Sequence, residues 1–352
     1  MPTSRLRFAA VRCRGIRRMC PSIISLSCEQ AHIEPSYGSP RMAHCFAQIP
    51  ACRDAAVSAG DVIRHTAQPD KAVNNLRRKS PMKEKVLATA CGDIHYWVNA
   101  IAEKTRPQLV FLPGLTADHR LFDKQVEHFE GQYPVFVWDA PGHASSWPFL
   151  FDFRLMDKAG WLDEILEREG FDCPVIVGQS MGGYVGQAYA QLFPEKLRGF
   201  VSVDSAPLQR QYVTAAEIWL LKRIEPVYRY YPWKSLLKTG TRGVATSEYG
   251  RRLMHDMMMV YDGDQARYAK ISGHGFRMLA EAMEADLPYE IRCPALLICG
   301  KKDHAGSCIR YNKAWHKNTG IPIAWIRDAG HNSNTDAPET VNRLIEELVV
   351  TI

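Results

Sequence analysis

The sequence predicts an α/β fold, in which a mostly parallel sheet is covered by helices. After residue 82, short apolar segments of strand length alternate with longer segments whose apolar residues recur at helical spacing. The segments at 109–112 and 135–138 contain no charged or amide side chain, which is typical of parallel strands buried on both faces. Strands separated by helices also favour right-handed crossovers, which place helices on both faces of one sheet.

The predicted elements follow this alternation along the chain. An antiparallel pair at 84–89 and 94–98 is expected to precede the parallel strands. The further strands are predicted at 109–112, 135–138, 175–177, 199–203, 295–299 and 323–326. The helices are predicted at 121–130, 159–169, 184–193, 308–316 and 338–350.

The segment from about 207 to 290 breaks the alternation, because it contains no convincing strand. It is rich in Tyr, Trp and Met, and its place between the two halves of the sheet favours a helical cap. Such side chains form adaptable apolar walls, so we expect some of them to line an acyl or aromatic pocket. The candidates are Trp219, Tyr228, Trp233 and Met258. At helical spacing the same residues are also typical of the insertion's own core.

Residues 1–81 differ from the rest of the chain in charge. They hold 13 Lys and Arg against 5 Asp and Glu, whereas residues 82–352 hold 31 against 33. The net charge of +6 therefore comes entirely from the first 81 residues. Six arginines precede the first acid, Glu29, and no apolar stretch there is long enough for a secretory signal. We expect a disordered leader or upstream extension, with an organelle transit peptide as the alternative, followed by one domain over 82–352.

Composition and missing motifs exclude several classes of function. The near-neutral body gives no reason to expect a nucleic-acid partner. No run approaches eighteen apolar residues, so we expect no stable membrane insertion. The ten cysteines include no Cys-x-x-Cys pair, and no Gly-x-Gly-x-x-Gly follows a predicted strand, so we expect neither a metal nor a cofactor. Scattered cysteines of this kind favour free thiols in a reducing, cytoplasmic compartment.

The pentapeptide GQSMG at residues 178–182 is the most informative motif. It lies between an apolar strand-like run and a helix-like segment, which is the context of a nucleophile elbow. Glycines at both ends let strand and helix approach closely. Ser180 would then stand at a helix N-terminus, where peptide dipoles favour developing negative charge. The plainer interpretation of the motif is an ordinary strand-to-helix turn.

Two later loops hold the residue types that a nucleophilic serine needs. Asp303 follows the predicted strand at 295–299, and His331 follows the strand at 323–326. The carboxyl ends of parallel strands meet at one edge of a sheet, so we expect both side chains near Ser180. A neutral imidazole would take the serine proton, and a carboxylate would hold the imidazole in the required tautomer.

Other polar residues near this edge leave alternatives open. Asp204, after the strand at 199–203, is a second candidate for the carboxylate, and His304 next to Asp303 is a further candidate polar group. His143 follows the strand at 135–138, where packing is the plain interpretation. Asp118 and Arg120 form a local salt bridge or contact a substrate, and the sequence does not decide between these.

An oxyanion hole would complete this chemistry. Its first donor is expected to be the backbone N–H of Met181, directly after the serine. The second donor is expected in the loop after the strand at 109–112, where we choose the N–H of Leu115.

Taken together, these segments resemble the α/β-hydrolase fold superfamily, of the esterase, lipase and C–C hydrolase type. The matching motifs are FLPGL at 111–115, DAPGH at 139–143, GQSMGG at 178–183, GKKD at 300–303 and AGH at 329–331. They span nearly all of the chain after residue 107. One departure is Pro113-Gly114, where many relatives have His-Gly; the backbone donor survives this change, but a side-chain role of that histidine does not.

The resemblance implies a serine hydrolase acting on a small-molecule apolar ester or acyl substrate, with Ser180, Asp303 and His331 as the catalytic triad. A thioesterase, a C–C bond hydrolase or an acyltransferase would use the same residues. A non-catalytic ligand receptor is a different class, which the complete Ser-Asp-His set disfavours. Dehalogenase and epoxide hydrolase chemistry is also disfavoured, since those relatives have Asp where Ser180 stands.

Overall fold

The structure is a computed structural model, and it describes residues 81–99 and 106–352. The predicted leader therefore lies outside the described residues, apart from residue 81, and remains a prediction. None of the helices in the described part of the chain is both long and apolar enough to cross a membrane.

Eight strands form one sheet with the order β1-β2-β4-β3-β5-β6-β7-β8. The strands are β1 Lys83–Thr89, β2 Gly92–Val98, β3 Leu109–Leu112, β4 Val135–Trp138, β5 Val175–Gln179, β6 Gly199–Val203, β7 Ala295–Gly300 and β8 Ile323–Ile326. Strand β2 runs antiparallel to both β1 and β4, and every pairing from β4 to β8 is parallel. The predicted α/β fold with a mostly parallel sheet is confirmed.

Eleven α-helices accompany the sheet among the described residues. They are α1 Asp123–Phe129, α2 Leu155–Glu169, α3 Met181–Leu192, α4 Ala215–Leu221, α5 Glu225–Tyr230, α6 Trp233–Val244, α7 Glu248–Met259, α8 Gln265–Glu284, α9 Cys308–Thr319, α10 Ser333–Asp336 and α11 Pro338–Val349.

Two helices begin earlier than their apolar spacing predicts. Helix α2 begins at Leu155 rather than at residue 159, because the Asp157 carboxylate accepts a hydrogen bond from the extended Arg154 N–H and caps the first turn. Helix α3 begins at Met181, directly after the β5 turn, rather than at residue 184. In both cases capping or turn geometry, rather than apolar periodicity, determines the first turn.

The core lies on both faces of the central strands. Alternate residues of β3 point to opposite faces, so that Val110 packs with α2 and α3 while Phe111 packs towards α1 and α11. All four residues of β3 and all five residues of β5 are buried. This burial on both faces explains why the strands are continuous apolar runs.

Helices α4–α8 occupy the sequence between β6 and β7, and no strand lies there among the described residues, as expected. Their apolar side chains join both sides of the sheet core: Met278 of α8 packs in one cluster and Tyr268 in the other. The helical insertion is therefore continuous with the core of the sheet. Its limits as a separate cap at about 207–290 remain a prediction.

The strand registers bring the important loops to one edge. Leu112 of β3 pairs with Gly178 of β5, and Gly300 of β7 pairs with Ile326 of β8. The loops that carry Ser180, Asp303 and His331 consequently leave the sheet at the same edge.

Candidate active site

The turn at Ser180 is strained, and close packing around it requires glycine at two neighbouring positions. Ser180 has φ 49° and ψ −115°, between the end of β5 and the start of α3. A left-handed φ at a serine costs on the order of 1–3 kcal/mol. A Cβ at Gly178 would lie 2.4 Å from the Gly182 carbonyl oxygen, and one at Gly182 would lie 1.8 Å from the Leu112 carbonyl oxygen. Only glycine fits at either position, as the motif predicts.

Three predicted side chains are in direct contact. The Ser180 Oγ lies 2.9 Å from His331 Nε2, and His331 Nδ1 lies 2.9 Å from Asp303 Oδ2. The Asp303 side chain is fully buried and that of His331 is 14% exposed. Asp303 also accepts a hydrogen bond of 2.8 Å from the Ala305 N–H. Because Asp303 accepts at Nδ1, His331 Nε2 is left to receive the serine proton.

Burial and charge act in opposite directions on this pair. Burial disfavours the charged imidazolium of His331, but the charge and hydrogen bond of Asp303 outweigh it, so the pKa of His331 is raised. Burial likewise disfavours the Asp303 carboxylate, yet the contact with His331 outweighs it and holds the pKa of Asp303 below its usual range. The pair therefore favours an imidazolium next to a carboxylate.

Asp204, the second candidate for the acid, has different partners. It accepts hydrogen bonds from the Gly300 N–H at 2.8 Å, the Ser333 N–H at 2.7 Å and the Ser333 hydroxyl at 2.9 Å. Burial, followed by the charge of Asp303, raises the pKa of Asp204 to about 8. The structure thus hydrogen-bonds Asp303 to His331, whereas Asp204 joins the end of β7 to the loop after His331.

Two further side chains, which the sequence analysis did not identify, hold the histidine loop. The Gln179 amide donates to the His331 carbonyl oxygen at 2.7 Å. The Asp336 carboxylate accepts from the Gly330 N–H at 2.8 Å and from the N–H groups of Thr246 and Ser247. Gln179 lies inside the predicted pentapeptide, whereas no local signal distinguishes Asp336. These contacts connect the histidine loop to the elbow and to the α6–α7 connection.

The predicted oxyanion donors lie on either side of the serine. Met181 is the first residue of α3, where a helix leaves its N–H groups without intrahelical partners. A Cβ at Gly114 would lie 3.2 Å from Ser180 Cβ, so the loop that carries Leu115 passes next to the serine. The Leu115 side chain packs against α8, where a Cβ at Gly275 would lie 2.5 Å from it. The donor roles of both residues remain a proposal.

Two of the predicted pocket residues lie in contrasting environments. Trp219 is 57% exposed, and the Arg223 guanidinium stacks over its ring at 4.7 Å. Met258 is completely buried, next to Gly240 of the neighbouring helix α6. Their contact with a substrate remains a prediction.

The other two pocket residues belong to an aromatic cluster. Tyr228 stacks on Phe276 with ring centroids 6.1 Å apart, and Trp233 packs edge-on against Tyr268 at 5.6 Å. Burial raises the pKa of the Tyr268 hydroxyl, and the nearby side chain of Thr116, next to Leu115, acts in the opposite direction. The cluster therefore reaches the predicted oxyanion loop, and its role as a pocket wall is still to be tested.

The remaining candidates divide into local contacts and exposed groups. The Arg120 guanidinium and the Asp118 carboxylate form a salt bridge at 2.6 Å, which is one of the two alternatives for this pair. His143 is buried and its Nδ1 lies 3.1 Å from the Pro141 carbonyl oxygen. His304 is exposed and, with Asp303, lines a surface cleft of about 580 Å³.

Two groups of described residues could bring three metal-ligating atoms within 4.8 Å of one another. They are Cys299, Asp303 and Cys308, and Asp118, His119 and Asp139. In each group a carboxylate already hydrogen-bonds a histidine, Asp303 with His331 and Asp139 with His119. The five cysteines of the described residues are free thiols. The expectation of no metal and no cofactor stays a prediction.

Comparison with known proteins agrees with this architecture. The family described as alpha/beta hydrolase fold matches residues 107–222. The chain is similar to 3-oxoadipate enol-lactonase 2 of Acinetobacter baylyi, with 23% identity over 69% of this chain and 89% of that protein. It is also similar to lipase 3 of a Moraxella species, with 29% identity over 39% of this chain and 43% of the lipase.

Among solved structures, a thermophilic esterase from Thermogutta terrifontis superimposes with a TM-score of 0.63 and 19% identity, over 76% of this chain and 98% of the esterase. The order of the strands in the sheet and the similarity to these proteins indicate the same fold. The chain therefore has the α/β-hydrolase fold, and the family model described by that fold matches about the first half of its sheet-forming part, residues 107–222.

Proposed function

We propose that this α/β hydrolase cleaves carboxylic esters through an acyl-enzyme on Ser180. The observation that carries the proposal is the unbroken series of hydrogen bonds from Ser180 through both nitrogens of His331 to Asp303. A serine hydroxyl is a weak nucleophile at neutral pH, and an adjacent base oriented by a third group is what activates it. The series contains one group for each of these roles.

In the proposed acylation step, His331 Nε2 removes the proton from Ser180 as Oγ attacks the ester carbonyl carbon. Asp303 stabilises the imidazolium that forms. The N–H groups of Met181 and Leu115 donate to the carbonyl oxygen as it becomes an oxyanion. One such donor lowers the activation barrier by roughly 3 kcal/mol. His331 then returns the proton to the departing alcohol, which leaves the acyl group on Ser180.

In the proposed deacylation step, His331 Nε2 takes a proton from water as the water oxygen attacks the acyl carbon. The bond between the acyl carbon and Ser180 Oγ then breaks, His331 returns the proton to Oγ, and the carboxylic acid leaves. A thioester or a C–C substrate would pass through the same intermediate, and an acyltransferase would replace water by another nucleophile. An ester is favoured because it requires least beyond these residues, and because similar proteins are named as an enol-lactonase and a lipase.

A serine-directed fluorophosphonate probe tests the proposal on the full chain. We expect labelling of the parent protein, no labelling of Ser180→Ala, and unchanged labelling of Ser145→Ala, whose serine is exposed near the same edge. Hydrolysis of p-nitrophenyl esters of rising chain length should disappear with the label. A folded parent protein that takes no label and cleaves no ester would overturn the proposed function.

A further inference from the structure

Lys158 is a buried lysine that has no counter-ion in the described part of the chain. It lies in the first turn of α2 and is 1% exposed. Its ammonium lies 5.7 Å from the centre of the Phe153 ring, and within residues 81–99 and 106–352 it forms neither a hydrogen bond nor an ion pair. Burying an unpaired ammonium is costly, and burial lowers the pKa of Lys158 to about 7.

Two histidines with unsatisfied ring nitrogens accompany this lysine. Nε2 of His143 and Nε2 of His274 are buried, and neither has a hydrogen-bond partner among the described residues. The His274 ring packs on Phe153 with centroids 4.5 Å apart, so it shares that ring with the Lys158 ammonium. Burial, followed by the charge of Lys158, lowers the pKa of both histidines to about 3.

The two imidazoles are therefore neutral. Nδ1 of His143 faces the Pro141 carbonyl oxygen and carries the proton, so Nε2 of His143 presents a lone pair. The backbone of Phe153 favours the charged form of His274 but does not outweigh the burial that lowers its pKa. The Lys158 ammonium supplies three N–H donors and a positive charge. A water molecule would satisfy hydrogen bonds here, but only an anionic group would also balance the charge.

This cluster lies at the same edge of the sheet as Ser180. His143 follows β4, β4 pairs with β3, and β3 pairs with β5, so the ends of β4 and β5 are on the order of 10 Å apart. On the other side, Gly275 follows His274 in α8 and contacts Leu115 of the predicted oxyanion loop. An extended substrate bound at Ser180 would reach the cluster along the aromatic wall of Phe151 and Phe153.

We propose that Lys158, flanked by His143 and His274, is a carboxylate-binding subsite, and that the substrate is an ester with a free carboxylate at its far end, such as a monoester of a dicarboxylic acid. This inference rests on the proposed ester hydrolysis at Ser180. The aromatic wall contacts the chain between the two ends, and the ammonium pairs with the carboxylate. Lys158 thereby determines substrate charge and takes no part in bond cleavage.

The test compares monomethyl esters of succinate, glutarate, adipate and suberate with the matched dimethyl esters. We expect the parent full chain to prefer the monoesters in kcat/KM. In Lys158→Met and in Lys158→Gln, which keeps a donor but lacks the charge, the preference should fall roughly 10- to 100-fold, mainly through KM. The control Lys270→Met removes an exposed lysine 5.0 Å from Phe151 and should leave the preference unchanged.

A binding measurement separates this inference from the proposed function. Calorimetric titration of Ser180→Ala with adipate should show binding that is lost when Lys158→Met is added. Such binding to Ser180→Ala, together with a parent protein that cleaves no ester, would support the subsite and reject the proposed function. Ester hydrolysis with the same monoester preference in Lys158→Met as in the parent, or adipate binding that survives Lys158→Met, would overturn the inference.

Discussion

Two buried polar clusters lie at the same edge of the sheet, and they differ in how their charges are paired. In the Ser180 cluster, Asp303 bonds to His331 and Asp204 accepts three hydrogen bonds. In the Lys158 cluster, neither the ammonium nor the two histidine Nε2 atoms have a hydrogen-bond partner in the described part of the chain. The first cluster is complete in the free protein, whereas the second is complete only with a bound anion.

This difference in charge pairing corresponds to two different tasks, bond cleavage and recognition of a charged group. Bond cleavage requires side chains held in one geometry before the substrate arrives, and shared hydrogen bonds provide that rigidity. Recognition of a charged group benefits instead from a buried charge that is left unpaired until the ligand pairs with it. The cost of the unpaired charge lowers the stability of the free protein, so the two clusters should respond in opposite ways to substitution.

Replacement of the acids should give the largest difference. Asp303→Asn removes the charge beside His331 and favours the wrong tautomer, so we expect kcat to fall about 10⁴-fold. Asp204→Asn removes a carboxyl group whose partners among the described residues are Gly300 and Ser333, and should cost far less in kcat. Steady-state kinetics with p-nitrophenyl acetate checks both variants, and thermal unfolding confirms that they fold. An equal fall of kcat in the two variants would show that Asp204 also takes part in catalysis.

Replacement of the lysine should stabilise the protein. At pH 7 we expect Lys158→Met to raise the free energy of unfolding by about 1–4 kcal/mol, because an unpaired buried charge gives way to an apolar side chain. The folded-state pKa of Lys158 is about 7, below its unfolded value, so the parent gains stability as pH rises from about 7 towards 10. Urea unfolding at pH 7 and pH 9.5 should show the advantage of Lys158→Met shrinking. A destabilised Lys158→Met at both pH values would show that the lysine has a partner.

The pH dependence of activity should report the pairing of His331. The base must be neutral, and its pKa is raised, so kcat/KM should rise with pH through a value above the ordinary 6.5. The Asp204 carboxyl, whose pKa is raised to about 8, is mostly protonated over this limb, so Asp204→Asn should leave the acidic limb in place. A pH–rate profile of the parent and of Asp204→Asn tests this expectation. An acidic limb that moves to lower pH in Asp204→Asn would mean that Asp204 is ionised and adds its charge to that of Asp303.

The sequence predicted the first cluster because its signals are local. Apolar runs identify the buried strands, and the spacing of Gly178, Ser180 and Gly182 defines the turn. Parallel strands then bring the residues after β7 and β8 to the same edge, which is why Asp303 and His331 could be placed together. The sequence leaves the choice between Asp303 and Asp204 open, because both follow strands and only the tertiary contacts distinguish them.

The second cluster could not be predicted in this way. A single lysine in the first turn of a helix is typical of a solvated surface, and nothing local marks Lys158 as buried. Its environment comes from α8, more than a hundred residues later in the chain, through His274. The exposure of Trp219 is equally hard to predict from the local sequence. Its aromatic side chain favours a pocket wall, but more than half of its surface is exposed.

Substitutions in the helical insertion should give the smallest effects. Tyr228→Ala opens the stack on Phe276 and should shift the preferred ester chain length a few-fold without preventing the labelling of Ser180. Trp219→Ala serves as the comparison, because its ring is exposed and should change the preference less. Hydrolysis of p-nitrophenyl esters with acyl chains of about two to twelve carbons measures the chain-length preference of both variants. Unchanged preference in Tyr228→Ala, Trp233→Ala and Met258→Ala would reject the predicted pocket wall.

The most direct test of the central claim is to trap the acyl-enzyme. A rapid acid quench of the full chain during turnover of an activated ester, followed by intact and peptide mass spectrometry, identifies the acylated residue. We expect a mass increase equal to one acyl group, located on the peptide that contains Ser180 and lost in Ser180→Ala. Ester turnover without any adduct, or an adduct on a different residue, would contradict the proposed acyl-enzyme on Ser180.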